Sequence, residues 1–307
     1  MIRLLLVISS ALATLSIDHI YALGDSFTDT GRLFQMTGEK VPPPKVYWEG
    51  RFSDGRTWVE YLATKFNATL TSLAVGAATT DSVSVPDAYS MGIPGCIQQA
   101  KEFAEAAPSG QRLLVTFAFT GNDFFGSYGS VETYMKNMER CVRIVADSHK
   151  ASHILISTSF NPKVLPYFKQ EGFEEYASQL DEAAKNISAT WPKVLAQLRQ
   201  EYKIPFFRYS MGAVLEGLAE RGLEYCNYHH LLFETDTCNH FTPFEIKEKP
   251  RKCTKTHMFH DQLHPTSRVH EAIAMRAYQA IHTKKGKGDS GSIPYTCFDT
   301  IFGLDIR

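Results

Sequence analysis

The sequence has no surplus of either charge, no long apolar run, and none of the short motifs that mark common metal sites. Its 32 Lys and Arg stand against 33 Asp and Glu, so there is no electrostatic case for nucleic-acid binding. The apolar run near the N-terminus, residues 4–13, falls far short of the ~20 residues of a membrane helix, and Ser9 and Ser10 interrupt it. No CxxC pair and no HExxH is present, which removes the usual spacing of structural zinc. No GxSxG elbow and no internal repeat is visible. Hydrophobic residues make up 44% of the 307 residues, so the chain is not disordered by composition. That length suits two domains or one large α/β domain.

Arg3, the apolar run after it and the small-x-small triplet Ala11-Leu12-Ala13 predict a signal peptide over residues 1–16. The leader is short, and its cleavage point stays open. Asn67 and Asn186 head two N-x-S/T triplets, the candidate glycosylation sites. Cys96, Cys141, Cys226, Cys238, Cys253 and Cys297 are an even number. In an oxidising compartment they can form three disulfides, with 15 pairings that sequence does not resolve.

Short apolar runs alternate with helical periods. Strands are expected over residues 17–23, 69–75, 112–120, 153–159 and 204–209, and helices over 57–66, 96–106, 131–148, 172–202, 211–222 and 265–281. A kink is expected at Trp191-Pro192. The alternation implies a parallel sheet covered on both faces. Residues 224–259, rich in Cys, His and Lys, read as an irregular insertion tied by disulfides close to the site. The organisation expected is a single domain over 17–283 with that insertion, followed by a tail over 284–307.

In open α/β sheets ligands bind outside the carboxyl ends of the strands, and several predicted strands end there in short polar motifs. Gly24-Asp25-Ser26 follows the first. A serine in a sharp turn is a candidate nucleophile if a base is near. Asp261-Gln262-Leu263-His264-Pro265, close to the other end of the chain, offers a carboxylate and an imidazole three residues apart. His264 would accept the serine proton while Asp261 orients the ring. Gly76, Asn122 and the Ser26 backbone N–H are candidate oxyanion donors. Asp29 reads as a residue that caps or orients the Ser26 turn. His257, His260 and His270 lie near His264 but lack its Asp and Pro neighbours. Gly288-Asp289-Ser290-Gly291 resembles a protease nucleophile signature, yet it follows a Lys/Gly loop rather than a strand.

Gly24-Asp25-Ser26, Gly76, Gly121-Asn122-Asp123 and Asp261-Gln262-Leu263-His264-Pro265, in that order, resemble the four motif blocks of the GDSL esterase/lipase family, the SGNH hydrolases. Residues 51–58 further resemble a segment of its secreted plant, fungal and bacterial branch. The resemblance implies a three-layer α/β/α flavodoxin-like fold with a five-stranded parallel sheet. It also implies ester hydrolysis without metal or cofactor, through an acyl-enzyme on Ser26 with His264 as base, Asp261 as its acid, and Ser26, Gly76 and Asn122 as oxyanion donors. The sequence departs from that branch at Arg32 and at His260, where substrate fit is the property at stake. Substrates left open are carboxylic esters of lipids or small molecules and O-acetylated carbohydrates. A secreted protein that binds lipid or glycan without turnover is the non-enzymatic alternative.

Overall fold

The computed structural model describes residues 15–83, 92–125, 129–158, 162–219, 224–225 and 257–282. Residues 1–14 of the expected leader, Cys226, Cys238, Cys253, Cys297 and the tail with Ser290 lie outside the described residues.

Five parallel strands form one sheet. They are β1 (His19–Gly24), β2 (Thr69–Ser72), β3 (Leu113–Ala118), β4 (His153–Ser157) and β5 (Phe206–Tyr209), in the order β2-β1-β3-β4-β5. This is the doubly wound order that puts a crevice at the strand ends where the winding reverses, between β1 and β3. The three central strands are almost wholly buried, which accounts for their continuous apolar character.

Alternation along each strand supplies two cores. Tyr21, Leu23, Val115 and Phe117 pack on one face, while Ile20, Ala22, Leu114 and Ala118 pack on the other. The first face is covered by α3 (Cys96–Ala106), α4 (Val131–Asp147) and the second half of α5 (Glu174–Glu201), through Phe103, Met138, Trp191 and Leu195. The second is covered by α2 (Trp58–Phe66), α6 (Met211–Ala219), α7 (Ser267–His282) and the start of α5. The chain is therefore a three-layer α/β/α domain over the described residues.

Sequence periodicity finds all five strands of this sheet and all six of these helices. It misses the short α1 (Arg32–Met36), because five residues are too few for a period to show. β2 ends earlier than expected. Leu73, Ala74 and Val75 leave the ladder but still donate to Ala22 O and Gly24 O. The stretch expected to be irregular contributes a small parallel pair, β6 (Glu224–Tyr225) with β7 (His257–Phe259). Helix α5 continues through Pro192, and the buried Trp191 anchors it in the core.

Cys96 and Cys141 form a disulfide joining α3 to α4. Asn67 is exposed and ends α2 in a left-handed conformation (φ 51°), and Asn186 is exposed within α5.

Candidate active site

The turn after β1 is dictated by crowding. A side chain at Gly24 would meet Ala118 O at 2.6 Å and the Thr28 side chain, so only glycine lets the strand turn there. Gln99 of α3 pairs with both backbone groups of Gly24, its Oε1 accepting from the N–H and its Nε2 donating to the carbonyl (2.9 and 3.0 Å). Asp25 points inward. Its carboxylate accepts from Phe27 N and from both the N–H and the hydroxyl of Thr120, which joins the end of β1 to the end of β3. Burial pushes Asp25 up to about 6 even though the Thr120 and Phe27 bonds oppose the shift. Ser26 then emerges at the sheet edge, 8% exposed.

The partner arrives from the far end of the chain. His264 Nε2 lies 2.9 Å from Ser26 Oγ, and His264 Nδ1 lies 2.7 Å from Asp261 Oδ2. The other carboxylate oxygen, Oδ1, accepts from the backbone N–H groups of Leu263 and His264, both at 2.7 Å. Asp261 is fully buried. Burial alone would raise it, but the His264 charge and hydrogen bond, with His260 and Tyr47, bring it well below the usual carboxylate range. A carboxylate that stays ionised can hold the imidazole tautomer and stabilise its protonated form.

Asp29 sits behind this turn as a hub, its carboxylate capping the start of α1 rather than the Ser26 turn itself. It accepts from Gly31 N, Arg32 N and Leu33 N at the start of α1, and from Gly76 N at 2.7 Å. Burial raises its pKa. The bond from Gly76 corrects the expectation that this amide faces an oxyanion: the N–H is committed to a buried carboxylate. Glycine is still required there, because a side chain would strike Phe52 at 2.5 Å and Leu33 at 2.8 Å. The next residue, Ala77, holds a left-handed φ of 63°, and Ala78 N donates to Val75 O at 3.1 Å. Residues 75–78 therefore form a tight turn with positive φ at its third position, where glycine is the usual choice.

Asn122 begins a 3₁₀ turn after β3, and its Nδ2 donates to Ala78 O at 2.9 Å. An amide nitrogen carries two hydrogens, so the second remains for a ligand. Asp123 accepts from the N–H and hydroxyl of Thr80, tying the same two turns together. The Arg32 guanidinium, at a position thought to bear on substrate fit, instead binds Leu73 O and Glu102 of α3, each at 2.8 Å. His260 is buried, its ring 4.9 Å from that of Tyr47.

Sequence motifs identify Ser26, Asp261, His264 and Asn122, which the fold brings to one edge of the sheet. They do not point to Gln99, Thr120, Thr80 or Tyr47, whose polar groups complete this edge from elsewhere in the chain. An isolated Tyr, Gln or Thr carries no signal of that kind in sequence.

A serine, an imidazole and a buried carboxylate in hydrogen-bonded line, at the edge of a doubly wound sheet, have the arrangement of a serine hydrolase. The chain belongs to the GDSL-like lipase/acylhydrolase family, whose pattern its residues 20–277 match. It is similar to the thermolabile hemolysin of Vibrio parahaemolyticus, with 24% identity over 283 residues, 86% of this chain and 64% of that protein. It is similar also to the secreted effector protein SseJ of Salmonella typhimurium, with 22% identity over 280 residues, 87% of this chain and 64% of that protein. The chain thus spans less than two thirds of the length of these two relatives. Among solved structures, a G-D-S-L family lipolytic protein from Veillonella parvula superposes with a TM-score of 0.48 at 13% identity, covering 87% of this chain and 99% of that one.

Proposed function

We propose that this chain hydrolyses carboxylic esters through an acyl-enzyme on Ser26. The observation that carries the reading is the hydrogen-bonded line from Ser26 Oγ through the His264 ring to Asp261 Oδ2. In the first half-reaction Oγ attacks the ester carbonyl carbon and His264 Nε2 takes its proton. The carbonyl electrons move onto oxygen, then return as the bond to the leaving oxygen breaks, and His264 hands its proton to that oxygen. In the second half, water is activated by His264 and attacks the acyl-enzyme, releasing the acid and restoring Ser26. Asp261 stays ionised throughout and balances the imidazolium. Donors assigned to the oxyanion are the Ser26 N–H, the remaining Asn122 amide hydrogen and, because Gly76 N is held by Asp29, the Ala77 N–H.

The acyl side is read as apolar. A cavity beside Gly121 is lined mostly by apolar residues, Phe119, Phe124, Phe125, Tyr134, Leu180 and Ile187 among them, with Thr120, Ser157 and Thr158 as its polar members. Such a lining suits a hydrocarbon chain better than a sugar, which asks for polar partners. Export is part of the reading too, supported by the leader expected over residues 1–16 and by the buried disulfide.

In folded protein Ser26→Ala abolishes p-nitrophenyl ester turnover and fluorophosphonate labelling, and retained turnover overturns the assignment. A wild-type protein that does not label is instead a silent binder. A series from acetate to palmitate, run beside acetylated sugars, separates the substrates: preference for butyrate or longer supports the apolar acyl side. A sharp preference for acetate and turnover of acetylated sugars make the chain a carbohydrate O-acetylesterase.

A further inference from the structure

We propose that Tyr47 is a positioning residue of this site, donating its hydroxyl to the Asp261 oxygen that faces His264 and so setting how strongly the carboxylate holds the imidazole. The proposal rests on the reading of Ser26, His264 and Asp261 just given. Tyr47 OH lies 2.6 Å from Asp261 Oδ2, the same oxygen that His264 Nδ1 approaches to 2.7 Å. Oδ1 is held by two amides of its own loop. Tyr47, 214 residues away in sequence, thus brings a donor from a separate segment onto the working oxygen. With Asp261 and Tyr47 both buried, the bond acts where water does not weaken it.

The hydroxyl is held in place and held protonated. Phe52 lies against the Tyr47 ring at 5.9 Å and His260 at 4.9 Å. Trp48 N donates to Ser53 O, and Ser53 Oγ donates to Pro265 O at 2.8 Å, so the Tyr47 segment grips the Asp261–Pro265 loop at two points. Burial, then the Asp261 charge and the hydrogen bond to it, push the phenol well above its usual range. It therefore donates at every working pH.

Two donors on one oxygen share its negative charge. Removing the phenol leaves that charge to the imidazole alone and favours the imidazolium, so the base is lost at a higher pH. The other ionisable groups around His264 and Asp261 are Asp25, His260 and His270. Burial pushes Asp25 up to about 6, but its partners are Thr120 and Phe27, so its effect is common to wild type and variant.

Tyr47→Phe keeps the ring and deletes only the donor. The acid limb of kcat/KM for p-nitrophenyl butyrate is expected to move up by about half a pH unit, with KM unchanged. Replacing Tyr47 by 3-fluorotyrosine, a more acidic and stronger donor of nearly the same shape, is expected to move the limb the other way. A residue that merely fills space would alter thermal stability and leave the limb in place. A folded Tyr47→Phe protein with an unchanged limb overturns the proposal. If that variant fails to fold, an unmoved limb in the fluorotyrosine protein overturns it equally. The low-field proton resonance of His264 Nδ1–H in the resting protein must also shift in Tyr47→Phe, and a static resonance counts against the proposal. That reading needs no turnover, so failure of the esterase assignment is told apart from failure of the role given to Tyr47.

Discussion

His270 shows how a single buried group contributes to the response to acid. Among the described residues neither ring nitrogen has a hydrogen-bond partner, and the residue is fully buried. Burial first, then the His264 charge, lowers its pKa to about 3 from an unfolded value of 6.5. The unfolded chain therefore binds a proton between these values while the folded one does not, and stability that is complete above 6.5 is lost as pH falls toward 3. His270→Leu removes both the unpaired nitrogens and the linkage. It is expected to stabilise the protein by about 1–3 kcal/mol at pH 7 and by more at pH 5, measured by urea unfolding at the two values. Equal effects at both would contradict the pKa shift. Asn122 supplies the second test at this scale. If its free amide hydrogen meets the oxyanion, Asn122→Ala lowers kcat by roughly 10²–10³ with the fold intact. A loss under about threefold would leave it as the structural tie to Ala78 alone.

Elements are held in register by a few long-range links. Asp29 gathers the start of α1 and the turn after β2 onto one buried carboxylate. Asp29→Ala strands four amides, so a loss of at least 2–3 kcal/mol is expected, with kcat falling through displacement of the 75–78 turn. Stability and kcat that both stay unchanged would remove Asp29 from this role. The disulfide links α3 and α4 across 45 residues. A loop of that length gives about 4 kcal/mol in the chain-entropy account. The Cys96→Ala, Cys141→Ala double variant should lose stability on that order in urea while ester turnover at 25 °C persists, since neither cysteine touches the site. Periodicity exposes these elements because a long amphipathic pattern is a local property. It does not show α1, the early end of β2 or the β6–β7 pair, because each is settled by contacts with distant chain.

Over the whole molecule, 238 residues separate Ser26 from His264, and the sheet order closes that distance. β1 lies at the centre of the winding, between β2 and β3, and α7 returns beside α2 and the Ser26 turn. Phe27 contacts both His264 and His270 across that junction, with ring separations of 5.8 and 6.3 Å. Fluorophosphonate labelling of Ser26 should consequently fall in step with the folded fraction through a urea titration. Labelling that persists in unfolded chain would mean the serine does not depend on His264. Among the described residues no helix is long and apolar enough to cross a membrane.

The sequence by itself determined what is local: the strand-and-helix alternation, the Gly24–Ser26 turn, and the three-residue spacing that lets Asp261 and His264 meet within one loop. Only the tertiary structure decided which atoms those groups share. It joined Cys96 to Cys141, committed Gly76 N to Asp29, and set Tyr47 on the carboxylate oxygen that faces His264. Each of these is a pairing between segments far apart in the chain, and it becomes possible when burial of the apolar core packs those segments against one another. No residue carries that information alone.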